Sequence, residues 1–311
     1  MYTTANSKVV SSDERSDQGN RTAGGFPWIA ARAALSDYFP FAISALLLSY
    51  IAWPMLTWWY WEYTRPESYY AHAPLIPAMA AFMLWHQRAR LAAVDKQPWL
   101  PAILVVALSV ALLVISVKGD MRSVESISFL LTAWGGVLLA LGPKFFKAAY
   151  FPLLFLVLMA PMPAPLLNDS TLHLQMWSTQ LASRILDLTG FANTQIGNRI
   201  HIDNFTFDVD VPCSGFKTLL ALLTFNAFLA YMLDGSLFRR VLLFILCSPL
   251  ALLINGVRIA LIGMVGECFG TPAAHVFHDY SGIIVLMLGF VLLFSVARSL
   301  GCRKFAGWDI F

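Results

Sequence analysis

The chain is 311 residues long, 58% hydrophobic and 13% charged, with a formal net charge of +3. That balance excludes a soluble domain of this size, and the basic residues are scattered among short segments, so the charge is no footprint of nucleic-acid binding. Apolar stretches of about 20 residues, enough to cross a bilayer core roughly 30 Å thick as helices, recur along nearly the whole sequence. The expected fold class is an all-α integral membrane protein of about eight transmembrane helices.

In chain order, residues 1–35 are polar and lack apolar periodicity, and they are expected to form a disordered cytoplasmic tail with no cleavable signal peptide. One transmembrane domain follows over residues 36–298, with spans near 38–59, 73–87, 99–117, 126–142, 146–162, 214–233, 239–266 and 272–298. The second and fifth are short for a full crossing. Residues 299–311 are read as a short cytoplasmic tail. Orientation follows from the basic residues. Arg88, Arg90, Lys96, Lys144, Lys147, Arg239, Arg240 and Arg298 share one side with the basic residues of both ends, against only Arg65, Lys118, Arg122, Arg184 and Arg199 on the other. Both termini are therefore expected in the cytoplasm, with the chain multi-pass in the inner (cytoplasmic) membrane. Trp58, Trp59, Tyr60 and Trp61 would form an aromatic belt at the outer interface.

The sizeable outer segment is residues 163–212. Asn168, Asp169 and Ser170 offer helix N-caps, Leu174, Trp177, Leu181, Ile185 and Leu188 recur at helical spacing, and Gly190 suits the helix end. This pattern predicts an amphipathic helix on the outer leaflet. Ile200 and Ile202, a polar Asp203-Asn204 turn, then Phe205, Phe207, Val209 and Val211 alternate as a small β-hairpin leading into the sixth span.

Polar groups inside a bilayer are costly, and three sets stand at the outer ends of spans. In Pro212-Cys213-Ser214-Gly215, a proline in a first helical turn would place Cys213 at a helix N-terminus, where the dipole favours a thiolate, with Lys217 one turn on. Asp208 and Asp210 oppose that if they lie close. The bland readings are a packing cysteine or a disulfide to Cys268. Asn255 and Arg258 share one helix face within an apolar span, where an arginine either serves a cavity or snorkels to the interface. Thr271 and Pro272 look like an N-cap and first residue of the last helix, which carries His275, His278, Asp279, Ser281 and Gly282. His275 and His278 have a metal-ligand spacing but no further ligand cluster, so neither a metal nor a cofactor is expected. Together, a thiol, an imidazole and a fixed cation on one membrane face make a kit for acyl transfer.

These residues resemble the exosortase/archaeosortase family over about residues 45–290. Tyr69-Tyr70-Ala71-His72-Ala73-Pro74 looks like the family's Tyr-Ser-His-Gly-type segment. Cys213-Ser214-Gly215, Asn255-x-x-Arg258 and His278-x-x-x-Gly282 are similar to its other motifs, in the same order. The chain has Lys217 where arginine is common in the family, and Ala73 where glycine is common near His72. The resemblance implies a membrane-embedded cysteine protease or transpeptidase. Its substrates would be exported proteins carrying a C-terminal signal made of a Pro-Glu-Pro-type motif, a transmembrane helix and basic residues. Cys213 would form a thioester, Arg258 would stabilise the oxyanion or thiolate, and His278 would shuttle protons. Asn255, Ser214, Gly215, Lys217 and His275 would be supporting residues. An amine or hydroxyl on a lipid or glycan could release the product, and membrane lipids are the only other partner expected. The competing readings are a transporter or assembly component for exopolysaccharide export, and a protease that uses water alone.

Overall fold

The computed structural model describes residues 43, 46–47, 49–66, 68–210, 215–302 and 304–309. The N-terminal tail expected over residues 1–35 lies outside these. Residues 43, 46, 47 and 49–51 are helical, and from Ala52 onward the chain forms one unit.

That unit opens with α1 (Trp53–Thr64), α2 (Leu75–His86) and the short α3 (Arg88–Ala92). Then come α4 (Ala102–Lys118), α5 (Arg122–Ala148), α6 (Tyr150–Phe155), a 3-10 turn (Leu156–Met159) and α7 (Ala164–Leu188). Three antiparallel strands follow in the order β1 (Asn193–Ile196), β2 (Arg199–Ile202), β3 (Thr206–Asp208). The chain ends with α8 (Phe216–Met232), α9 (Leu237–Phe269), α10 (Thr271–Ser299) and the hairpin β4 (Lys304–Phe305) and β5 (Trp308–Asp309).

Among the described residues, α5, α9 and α10 are long and apolar enough to cross a membrane, and the 3-10 turn joins α6 and α7 into a pair bent by 83° that could make a fourth span. The count falls short of eight. Shorter apolar helices, α2, α4 and α8 with 12, 17 and 17 residues, stand where three further spans were expected. At 1.5 Å per residue even 17 residues cover only about 25 Å. Turns at Pro74, Gly119 and Gly215 stop them short. The expected hairpin of the outer segment gains a third strand, because Asn193–Ile196 pairs with Arg199–Ile202.

Apolar side chains of α8, α9 and α10, among them Leu222, Leu229, Leu243 and Leu293, form one buried cluster. Small residues let the helices approach, as expected where lipid gives no hydrophobic drive between them. A Cβ on Gly289 would stand 2.8 Å from Leu222, and one on Gly256 would stand 2.6 Å from Leu181 of α7. The terminal hairpin packs onto the α8–α9 loop: the Asp234 amide donates to the Lys304 carbonyl at 3.0 Å and the Ala306 amide to the Met232 carbonyl at 3.0 Å. The long α5 breaks at Gly142 (φ 80, ψ 173), just before Pro143, which is why the apolar run expected to end at residue 142 does end there.

A backbone at that φ/ψ is essentially reserved for glycine, and a Cβ on Gly142 would run into the Gln97 carbonyl. Gly142→Ala is therefore expected to cost at least about 1–3 kcal/mol. Gly136→Ala, on the same helix with nothing within 4 Å, should be neutral or slightly stabilising. Thermal denaturation of both variants in detergent checks the contrast; equal midpoints would contradict it.

Candidate functional site

The site is built on the helical hairpin of α9 and α10, which turns at Gly270. Arg258 of α9 is 8% exposed. A guanidinium cannot shed its charge, so burial has to be compensated by acceptors. Its Nε donates to Ser281 Oγ at 2.9 Å and its Nη2 to the His278 carbonyl at 3.0 Å. Ser281 Oγ in turn donates to the same carbonyl at 3.1 Å. The guanidinium is thereby clamped to the turn of α10 that carries the His278 imidazole, and it is no snorkelling arginine. Gly282 lies alongside, where a Cβ would be 3.8 Å from Arg258 Nη2. That is an ordinary contact, so the space a glycine leaves here belongs to the cavity rather than to the arginine.

Asn255, one turn before Arg258, is 1% exposed and its Nδ2 donates to Ser178 Oγ of α7 at 3.1 Å. Its side chain presses against Gly215, the residue before α8. Gly215 adopts φ 79, and a Cβ there would lie 2.5 Å from Asn255 Cγ, so both backbone and space demand glycine. Three residues up α7 from Ser178, Gln175 donates to the Val209 carbonyl, which also accepts from Asn198 Nδ2 at 3.2 Å. Residues 211–214 thus connect two anchored points, Val209 and Gly215.

A cavity of about 670 Å³ is lined by Lys217, Arg258, His278, Asp279 and Gly282, by His72 and Tyr69, and by Phe225, Ile283, Leu286, Met287 and Phe290 at its apolar part. Tyr69 stacks edge-on against Phe216 at 5.5 Å, which ties the segment of His72 to the start of α8. A neighbouring cavity of about 470 Å³ between β3 and the α9–α10 hairpin is lined by Asp208, Asp210, His275, His278 and Asp279. His278 and Asp279 belong to both cavities. Asp208 is not a bare charge: hydrogen bonds from Arg199 at 2.7 and 2.9 Å hold its carboxyl below the usual carboxylate range.

The structure thus brings Arg258, His278 and Lys217 to one cavity, seats Asn255 and Gly215 against each other beside it, and turns His275 into the adjoining one. Cys213 and Ser214 lie outside the described residues. Several local expectations are corrected. The helix after the cysteine begins at Phe216 rather than Pro212, because the left-handed Gly215 breaks the right-handed path. Lys217 reaches the site as the second residue of α8. Gly270 (φ 82), not Thr271, precedes the first residue of α10. Asn168, Asp169 and Ser170 lie inside α7, which starts earlier behind Pro163. Cys268 is an exposed free thiol. The apolar repeat of α7 does not mark its buried face: Thr171, Gln175, Ser178, Thr179, Ala182 and Leu186 are buried, whereas Trp177 and Leu188 are exposed. Only part of the apolar stripe meets the protein, and Gln175 and Ser178 were legible as a polar pair three residues apart. His72, Gln175, Ser178 and Ser281 were given no role by sequence reasoning.

A family model described as transmembrane exosortase matches residues 58–295 of the chain. No curated protein and no solved structure matches it.

The Asn255–Gly215 contact predicts non-additivity. Gly215→Ala and Asn255→Ala should each destabilise, and the double variant should be less damaged than the sum, by about 0.5–3 kcal/mol. Thermal midpoints of the four proteins in detergent measure this, and strict additivity would rule the contact out.

Proposed function

Because the chain belongs to the transmembrane exosortase family, with residues 58–295 matched, we propose that this multi-pass membrane protein is a cysteine peptidase or transpeptidase. It cleaves the C-terminal sorting signal of exported proteins and transfers them to an acceptor. The observation that carries this reading is the single cavity shared by Arg258, His278 and Lys217, beside a glycine two residues from Cys213. Two residues of chain cannot span more than about 7 Å, so covalent connectivity alone keeps Cys213 near Gly215.

In this reading the Cys213 thiolate attacks the scissile carbonyl carbon. The C–S bond forms, negative charge develops on the carbonyl oxygen, and the C–N bond then breaks to leave a thioester. Arg258, its fork fixed by Ser281 and the His278 carbonyl, is a preorganised cation for the oxyanion. His278 takes the thiol proton and returns it to the leaving amine. Lys217 adds positive potential that favours the thiolate. The apolar part of the cavity, with Phe225, Leu286, Met287 and Phe290, suits the transmembrane helix of the signal, which arrives already oriented by the bilayer. The basic-residue asymmetry supports a reading with both termini in the cytoplasm and this site on the outer face of the inner membrane.

Incubation with a helix-anchored substrate of the Pro-Glu-Pro type is expected to give a mass adduct on Cys213, absent in Cys213→Ala. His278→Ala should slow adduct formation about 10²–10⁴-fold. Arg258→Lys, which keeps the charge but loses the fork, should slow it about 10²–10³-fold. Intact-mass analysis over time reads all three. Folded protein that leaves several such substrates unmodified would turn the reading toward transport or assembly.

A further inference from the structure

The proposed mechanism uses His278 for acylation and leaves a second imidazole in the same cavity without a task. His72 lines the cavity of Arg258 and His278, and it also lines a second, apolar cavity of about 470 Å³. That second cavity is walled by Val124, Ile127, Val157, Leu220, Leu223 and Phe244, and neither His278 nor any other residue of α10 lines it. The ring is held by a contact of 3.2 Å between Nε2 and Thr224 Oγ1, and Thr224 is 3% exposed. The Tyr69–Phe216 and Tyr70–Met162 contacts fix the turn that carries it. An imidazole that lines two cavities, and is held by one nitrogen, has the disposition of a proton acceptor for a molecule entering from the second cavity.

We propose that His72 is the general base of the second half-reaction: it takes the proton of the amine or hydroxyl that attacks the Cys213 thioester. With Nε2–H donating to Thr224, Nδ1 keeps its lone pair for this step. The acceptor N–H or O–H proton passes to His72 as the new C–N or C–O bond forms. The C–S bond breaks and Cys213 leaves as a thiolate; the proton gained by His72 then returns to the sulfur through solvent, which restores the thiol for the next cycle. His278 and His72 then divide the work, one for the leaving amine and one for the incoming nucleophile. The inference rests on the thioester mechanism proposed above.

A single-turnover experiment separates the two half-reactions. Wild type and His72→Gln are mixed with the helix-anchored substrate, and the Cys213 adduct is followed by intact mass as it forms and as it decays, with water and then hydroxylamine as the nucleophile. Hydroxylamine is unprotonated at neutral pH and needs no base. The expected result for His72→Gln is formation within about threefold of wild type, decay in water slowed about 10²-fold or more, and unchanged release by hydroxylamine. A merely structural role would lower formation, decay and hydroxylamine release together, and that outcome, or decay at the wild-type rate, overturns the proposal. Absence of any adduct on wild type would instead defeat the thioester reading itself.

Discussion

A carboxamide packed against a glycine holds this site together. Asn255 touches Gly215 so closely that no Cβ fits between them, while its Nδ2 reaches Ser178. Three elements distant in sequence meet at that point: α7, α9 and the start of α8. Because Gln175, on the same helix as Ser178, fixes the Val209 carbonyl, the register of α7 sets both ends of the segment that contains the cysteine. A shift of α7 by one residue would release both anchors at once. The close fit of Gly256 against Leu181 opposes such a shift. The supporting contacts are uncharged hydrogen bonds from α7, one reaching α9 and one reaching the Val209 carbonyl.

The bilayer explains why the polar residues cluster as they do. A charge in hydrocarbon is tolerated only where acceptors meet it, and Arg258 meets both a hydroxyl and a main-chain carbonyl on the neighbouring helix. The interaction works in both directions. It makes the arginine affordable, and it pins α10 at His278. The same solvent partly inverts the reading of α7, where threonine, glutamine and serine pack inward while Trp177 and Leu188 of the apolar repeat are exposed. Lipid gives apolar side chains no reason to prefer the interior, so specificity of helix contact passes to small and polar residues.

That inversion also marks what the sequence could disclose. The membrane class and the helices of the second half were plain, since apolar runs near 239–266 and 272–298 became Leu237–Phe269 and Thr271–Ser299. The Arg258 and His278 motifs were legible because a charge and an imidazole are conspicuous in such runs, and they do share a cavity. Helix starts were read less well. Proline at residue 212 looked like a first-turn residue, yet Gly215 at positive φ delays the helix to Phe216. That glycine packs against Asn255, forty residues away in sequence, and no local rule carries that contact. Strand β1 was missed for a related reason: Asn193–Ile196 has little alternation of its own and is strand because β2 beside it is. Eight spans are not confirmed among the described residues, because apolar runs do not reveal where a turn cuts a helix short.

The distribution of charge gives the site a polarity that neither motif predicts alone. Lys217 and Arg258 line one cavity, Asp208 and Asp210 line the other, and His278 with Asp279 stands in both. Asp208 is balanced by Arg199, which leaves less unpaired negative charge at the second cavity. In the proposed mechanism the proton moves from a sulfur beside the cationic cavity to an imidazole that faces the acidic one. Each product of that transfer meets charge of the opposite sign, thiolate near Arg258 and Lys217, imidazolium near Asp279, whose Oδ1 lies 3.3 Å from His278 Nδ1. Fixed charges arranged in this way favour the separated ion pair over the neutral pair without reorganisation at the moment of attack. Such a field is strongest where water is scarce, which is a physical reason for building thiol chemistry at the rim of a bilayer rather than in an open cleft.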